Sequence, residues 1–252
     1  MFGADEGGRD VLVLTAIPEE RAAVERALSQ ARLAAHVLAT GDGGVRASRV
    51  AREALAAVRP SVVIGAGVAG GLSPDLSPAD VVVSTQVRDA AEEAPAPDQD
   101  LVRLALSISG VRGATLFSVV RPALSASQKA VLLGHLTATQ EAAGTAVAAT
   151  QGAAGTASVD MESSSWARAC AAARVPYVIL RAISDTADED LPGYLAACMD
   201  AEGSFRRSAV ARGAVFHPGS IPALLRMRRR VAECGRAVGE AVAALVAALP
   251  SR

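Results

Sequence analysis

Short runs of β-branched and aliphatic residues alternate along the chain with longer stretches whose apolar positions recur at helical spacing. Val11 to Ile17 predicts a first strand. Pro18 suits the first turn of a helix, where its missing N–H is harmless, and Glu19 and Glu20 sit favourably near the positive helix end. That helix is expected to run to about Arg32. Leu33 to Thr40 predicts a second strand, closed by the loop Gly41-Asp42-Gly43-Gly44, and Val45 to Val58 a helix with one apolar face. Further strands are expected at Ser61 to Ile64, Val81 to Val87 and around Ala114 to Val120, with an acidic, proline-containing loop from Asp89 to Asp100 and a short helix between the last two. Ser158 to Met161 completes a strand, Glu162 to Arg174 a helix and Pro176 to Ile183 another strand. Beyond Asp188 the pattern is helical, ending in Ile221 to Leu249. Gly134 to Ala157 holds few large apolar groups and predicts a loop or a loosely held helix. Strands alternating with helices imply an α/β sheet covered by helices.

With 252 residues, 51% of them hydrophobic, the chain can bury a core as one large domain, 1–252, with a core over 10–190 and a helical extension over 191–252. The formal net charge of -1 gives no global attraction to nucleic acid or to an anionic membrane. Lys129 is the only lysine. Cys170, Cys198 and Cys234 lack metal-ligand spacing and read as reduced packing residues. No stretch approaches the roughly 20 apolar residues of a membrane span, and Met1 to Asp10 lacks the basic start and apolar run of a signal peptide. A cytoplasmic protein without stable membrane insertion is expected. Arg226, Arg228, Arg229 and Arg230 could touch a membrane or simply lie on a solvated helix face.

Three segments carry candidate chemistry. Gly65-Ala66-Gly67-Val68-Ala69-Gly70-Gly71 contains GxGxxG, yet a dinucleotide site needs this motif to open a helix, and Pro74 and Pro78 would interrupt one. Glycines at a strand end still let a ligand approach the backbone, so a binding floor is the reading. Asp160-Met161-Glu162 places two carboxylates where a strand becomes a helix; they can accept hydrogen bonds from a vicinal diol, or serve only to cap the helix. Ser184 and Asp185 come after an apolar strand, at the carboxyl end where ligands of α/β sheets collect, and are placed for acid catalysis or for capping a next helix.

Taken in order, Ala16-Ile17-Pro18-Glu19-Glu20, Gly67-Val68-Ala69-Gly70-Gly71-Leu72, Val159-Asp160-Met161-Glu162 and Ile183-Ser184-Asp185 resemble the nucleoside phosphorylase and methylthioadenosine/S-adenosylhomocysteine nucleosidase superfamily, over residues 11 to about 190. Asp160 in place of the usual Glu and a tail with His217-Pro218 and Pro222-Ala223-Leu224-Leu225 are most similar to the hopanoid-associated phosphorylases, whose proposed substrate is adenosylhopane. The resemblance implies a three-layer α/β/α fold around a twisted mixed sheet, no metal or organic cofactor, a homodimer or higher oligomer, and cleavage of a purine nucleoside by water or inorganic phosphate. It assigns Asp185 to protonation of purine N7, Ser184 to orienting it, and Glu20 to the nucleophilic water. Gly67, Val68, Ala69, Gly70, Asp160, Met161 and Glu162 would bind substrate. To donate, Asp185 must hold a proton, which predicts desolvation or a neighbouring carboxylate.

Two departures bear on substrate and acceptor. Phosphorylases of this fold hold phosphate with an arginine and a hydroxyl near the glycine-rich strand end, where this chain has Gly65 and Val68; Gly41 and Arg46 are the remaining candidates. The nucleosidases stack the base on an aromatic residue before the ribose motif, and Gly134 to Ser158 contains none. A bulky 5′ substituent is therefore expected. Methylthioadenosine-type and futalosine-type hydrolysis, a non-catalytic nucleoside-binding module and an NAD-dependent oxidoreductase remain as alternatives.

Overall fold

A computed structural model describes residues 10–142, 155–200 and 206–250. Seven strands form one mixed sheet in the order β2-β1-β3-β6-β5-β4-β7: β1 (Val11–Thr15), β2 (His36–Ala39), β3 (Val62–Gly71), β4 (Val81–Asp89), β5 (Val111–Ser118), β6 (Ala157–Asp160) and β7 (Tyr177–Asp185). β3 also pairs with β7, so β3, β7, β4, β5 and β6 close on themselves in a ring, leaving β1 and β2 as a parallel flank. The expected twisted mixed sheet with helices on both faces is present; its closure is the additional feature.

The helices are α1 (Pro18–Gln30), α2 (Gly44–Val58), α3 (Gln99–Leu106), α4 (Ala126–Ala142), α5 (Ser163–Ala173), α6 (Arg207–Phe216) and α7 (Ile221–Ala248). Strand periodicity distributes the core between the two faces. Val11 and Val13 of β1 join Val62 and Ile64 of β3 beneath α1, α3 and α7. Leu12 and Leu14 join Val63 beneath α2 and α5. A third cluster of Leu72, Phe117, Leu136, Ala157 and Val159 seats α4. On α7, Cβ atoms added at Gly235 and Gly239 would lie 3.1 and 3.0 Å from atoms of Ala23, so small residues set the close approach of α7 to α1.

The clearest difference from the sequence reading is in β3. β3 continues through Gly65 to Gly71 instead of stopping at Ile64, so the glycine run is sheet interior rather than a turn. β3 runs to Gly71 and the next element is the strand β4, so no helix opens at the glycine motif as a dinucleotide site requires. In the segment Gly134 to Ala157, expected as a loop or a loosely held helix, residues 134–142 are helical as the end of α4, and residues 143–154 lie outside the described residues. The three cysteines are free and buried. Arg226, Arg228 and Arg229 are exposed on α7 and Arg230 pairs with Glu189. Among the described residues no helix is long and apolar enough to cross a membrane.

Candidate active site

The last residues of β3, from Gly67 to Gly70, form a strip with a carboxylate cluster at one end and Asp185 at the other. Glu20 reaches the strip from α1. Pro18 starts that helix and Glu20 occupies its third position, so the carboxylate turns back to accept the N–H groups of Ala16 (2.8 Å) and Ile17 (3.1 Å). Its other oxygen accepts the Val68 N–H at 2.9 Å. Burial pushes the Glu20 carboxyl up from its ordinary range, against the lowering effect of Arg181 and of those N–H donors.

Arg181, fully buried in the middle of β7, binds the cluster together. Its Nη2 lies 2.8 Å from Asp160 and 3.5 Å from Glu162, and donates to Ser163 Oγ at 3.1 Å. Its guanidinium carbon sits 4.7 Å from the centroid of Trp166, whose indole N–H donates to Thr40 Oγ1 at 3.2 Å. A Cβ at Gly67 would fall 2.6 Å from Arg181 Nη1 and 2.7 Å from Glu20 Oε1, so only glycine fits there.

The two carboxylates of the ribose motif part company. Asp160 accepts from Ser118 Oγ (2.7 Å), the Ser163 N–H (3.2 Å) and Ser163 Oγ besides Arg181, with its side chain 1% exposed. Glu162 stands at the α5 N-cap position yet makes no side-chain cap bond, whereas Asp160 accepts the N–H of Ser163, the first residue of α5, as the capping reading expects. Glu162 accepts instead the N–H of Gly43 at 3.0 Å, the residue ahead of α2, whose φ of +88° favours glycine. Burial raises the Glu162 carboxyl to about 7, with Arg181 lowering it and Asp160 and Glu20 raising it further. Met161 is half-buried beside this pair, its carbonyl facing Gly44.

Across β3, Ser184 and Asp185 end β7 and cap no further helix. Asp185 is 6% exposed, and Ser184 Oγ lies 2.6 Å from Asp185 Oδ1 and 3.3 Å from the Ala69 carbonyl. The expected neighbouring carboxylate is replaced by its opposite: Lys129 Nζ of α4 lies 2.6 Å from Asp185 Oδ2. Of the two alternatives, burial is present, and the charged neighbour is Lys129 rather than a carboxylate.

The sequence-predicted residues Glu20, Gly67, Val68, Ala69, Gly70, Asp160, Glu162, Ser184 and Asp185 thus converge on one strand end. Gly41 donates its N–H to the Ala16 carbonyl at 2.9 Å, and Ala16 in turn donates to Glu20. Arg46 is exposed and lies over Gly41, where a Cβ would come 2.5 Å from its Cδ. Both line a cavity of about 1280 Å³ bounded by α1, the β2–α2 loop, α2, α6 and α7. Arg181 and Lys129 are the charged site residues given no role from sequence, and Ser118, Trp166, Thr40 and Gly43 are likewise not singled out by it. A charged residue inside an otherwise apolar strand was the available signal for Arg181; a lone lysine in a helix without a clear apolar face gave none for Lys129.

The phosphorylase superfamily model matches residues 8–216. A 5′-methylthioadenosine/S-adenosylhomocysteine nucleosidase from Haemophilus ducreyi is 29% identical over 169 residues, covering 61% of this chain and 68% of that protein. The fold is similar to that of the Helicobacter pylori 5′-methylthioadenosine/S-adenosylhomocysteine nucleosidase, with a TM-score of 0.69 and 17% identity over 97% of this chain and 100% of that one. It is also similar to futalosine hydrolase of Helicobacter pylori, with a TM-score of 0.68 and 16% identity over 96% of this chain and 98% of that one. The chain belongs to the phosphorylase superfamily, and its reaction is cleavage of an N-glycosyl bond.

Proposed function

We propose that the protein hydrolyses the N-glycosidic bond of a purine nucleoside, with adenine as the base and a bulky group at the 5′ position. The observation that carries this reading is the placement of two buried carboxyl groups, Glu20 and Asp185, on opposite ends of the Gly67–Gly70 strip. Breaking the bond leaves a sugar with oxocarbenium character and a purine that departs poorly as an anion. Asp185, oriented by Ser184, protonates N7. Glu162, beside Met161, holds the ribose hydroxyls and faces the developing positive charge. Asp160 holds Arg181 in place, since its oxygens are already taken by protein donors. Glu20 accepts a proton from the attacking water.

Water is favoured over phosphate by the local charge. Asp160, Glu162 and Glu20 surround the single guanidinium of Arg181, so an incoming phosphate would meet a cation already committed to carboxylates. The exposed Arg46 lies against Gly41.

The cavity of about 1280 Å³ supports a large 5′ substituent. Its lining includes Ile17, next to Glu20, and the apolar Leu195, Leu224, Met227 and Val231, alongside the charged Glu19, Arg26, Asp42, Arg46, Arg49 and Arg228. Adenosylhopane fits this chemistry, and 5′-methylthioadenosine is the small-substituent comparison suggested by the Haemophilus ducreyi relative. Adenine release from a panel of 5′-modified adenosines, with and without phosphate, tests the reading. Release without phosphate, faster for the bulkier apolar substituents, is the expected outcome. An absolute phosphate requirement would overturn hydrolysis, and failure to release adenine from any member would leave a binding module.

A further inference from the structure

Lys129 occupies a site whose construction exceeds what anchoring a helix requires. It is the sole lysine of the chain and its side chain is fully buried. Nζ donates to the carbonyls of Thr186 (2.5 Å) and Glu189 (3.0 Å) and pairs with Asp185 Oδ2 (2.6 Å). Three acceptors match the three N–H bonds of an ammonium, so no donor is left for a substrate. The start of α4 is already fastened to the same loop by other bonds: the Ala126 N–H donates to Asp190 Oδ1, and the Leu191 N–H to the Leu124 carbonyl. Burying an ammonium is costly unless it is paired, and the one carboxylate given to it is the proposed acid.

We propose that Lys129 is a positioning residue for purine departure, acting through Asp185; this rests on Asp185 being the general acid. In the resting protein Asp185 is the carboxylate paired with Lys129. It takes up a proton from solvent as the nucleoside binds, and as C1′–N9 breaks, the bond's electron pair goes to the purine and that proton passes from Asp185 to N7. The pocket is then left with an Asp185 carboxylate. Lys129 Nζ is already in place beside Oδ2, so the positive charge is complementary to the charge that proton transfer creates there. Water then adds to C1′ and its proton goes to Glu20; Glu20 releases that proton to solvent and Asp185 takes one up from solvent for the next turnover. The Thr186 and Glu189 carbonyls hold the ammonium, so it need not reorganise during the step.

A double-mutant cycle on the full-length protein tests this, using whichever 5′-modified adenosine of the panel turns over fastest. Lys129→Met is expected to lower kcat by about thirtyfold, the scale of a lost contribution to acid catalysis, while changing KM by less than about threefold. Lys129→Arg should recover most of that loss. In an Asp185→Asn background the same Lys129→Met change should cost less than about threefold, because the group it acts through has gone. An equal loss in both backgrounds, or near-normal kcat in Lys129→Met, would overturn the proposal. Lys129→Gln, which keeps two N–H donors without the charge, is run in parallel: it should lose kcat as Met does, and wild-type kcat in a folded Gln variant would equally overturn it. Full adenine release by Asp185→Asn alone would instead sink the general-acid reading on which the proposal stands.

Discussion

The Glu20 carboxylate accepts the Val68 N–H at 2.9 Å, tying the first helix to the glycine-rich strand end. One residue earlier, Gly67 gives Arg181 and Glu20 the space to meet, with 2.6 and 2.7 Å left to a hypothetical Cβ. Gly67→Ala should therefore displace both groups, costing about 1–3 kcal/mol of stability by overpacking and lowering turnover more than binding. Urea unfolding together with kcat and KM checks this; wild-type values for both would contradict the packing described.

Arg181 is the only cation that the buried carboxylates Asp160 and Glu162 both contact among the described residues. Arg181→Met should destabilise the fold by about 3–5 kcal/mol, since it leaves buried negative charge uncompensated. The Asp160→Asn change in the same protein should cost less than it does in the wild type, because the charge it removes is then unpaired. Denaturation of the two single variants and the double variant measures that coupling; strict additivity would show that the pair is not an energetic unit.

The Glu162 carboxyl titrates at about 7 in the folded protein, against 4.5 as its ordinary value, because burial and the neighbouring Asp160 and Glu20 outweigh Arg181. Between those values the folded chain binds more protons than the unfolded one. Stability should accordingly fall as pH rises through that window and level off above it. Glu20, also raised by burial, contributes in the same direction. Urea midpoints should be higher at pH 5 than at pH 8 for the wild type, with a smaller difference for Glu162→Gln. The same pH difference in both proteins would contradict the assignment.

Much of this architecture is legible from periodicity. β1, α1, β4, α5 and α7 emerge directly from apolar spacing and from Pro18, and the strand-end positions of Glu20, Glu162 and Asp185 come with them. β3 outruns its apolar signal because a strand made of glycine and alanine has no side-chain pattern to distinguish it from a turn. Ring closure depends on β3 pairing with both β6 and β7, a long-range register that no local signal encodes. Lys129 escapes sequence reasoning for a related reason: its partner lies 56 positions away on another element, and α4 shows no apolar stripe that would mark Lys129 as inward-facing.

Asp185→Asn should reduce adenine release by at least about a hundredfold, the scale of a lost general acid. It also leaves the buried Lys129 ammonium without its carboxylate, so a loss of thermal stability should accompany the loss of rate. Unchanged turnover in a folded Asp185→Asn protein would remove the acid from the mechanism.

The most direct measurement is the fate of oxygen in the product: turnover of a 5′-modified adenosine in ¹⁸O-labelled water, with phosphate present, then mass analysis of the sugar. A Glu20-assisted attack by water predicts free adenine and a sugar carrying one label at C1′. An unlabelled sugar 1-phosphate, or no adenine at all, would contradict the account.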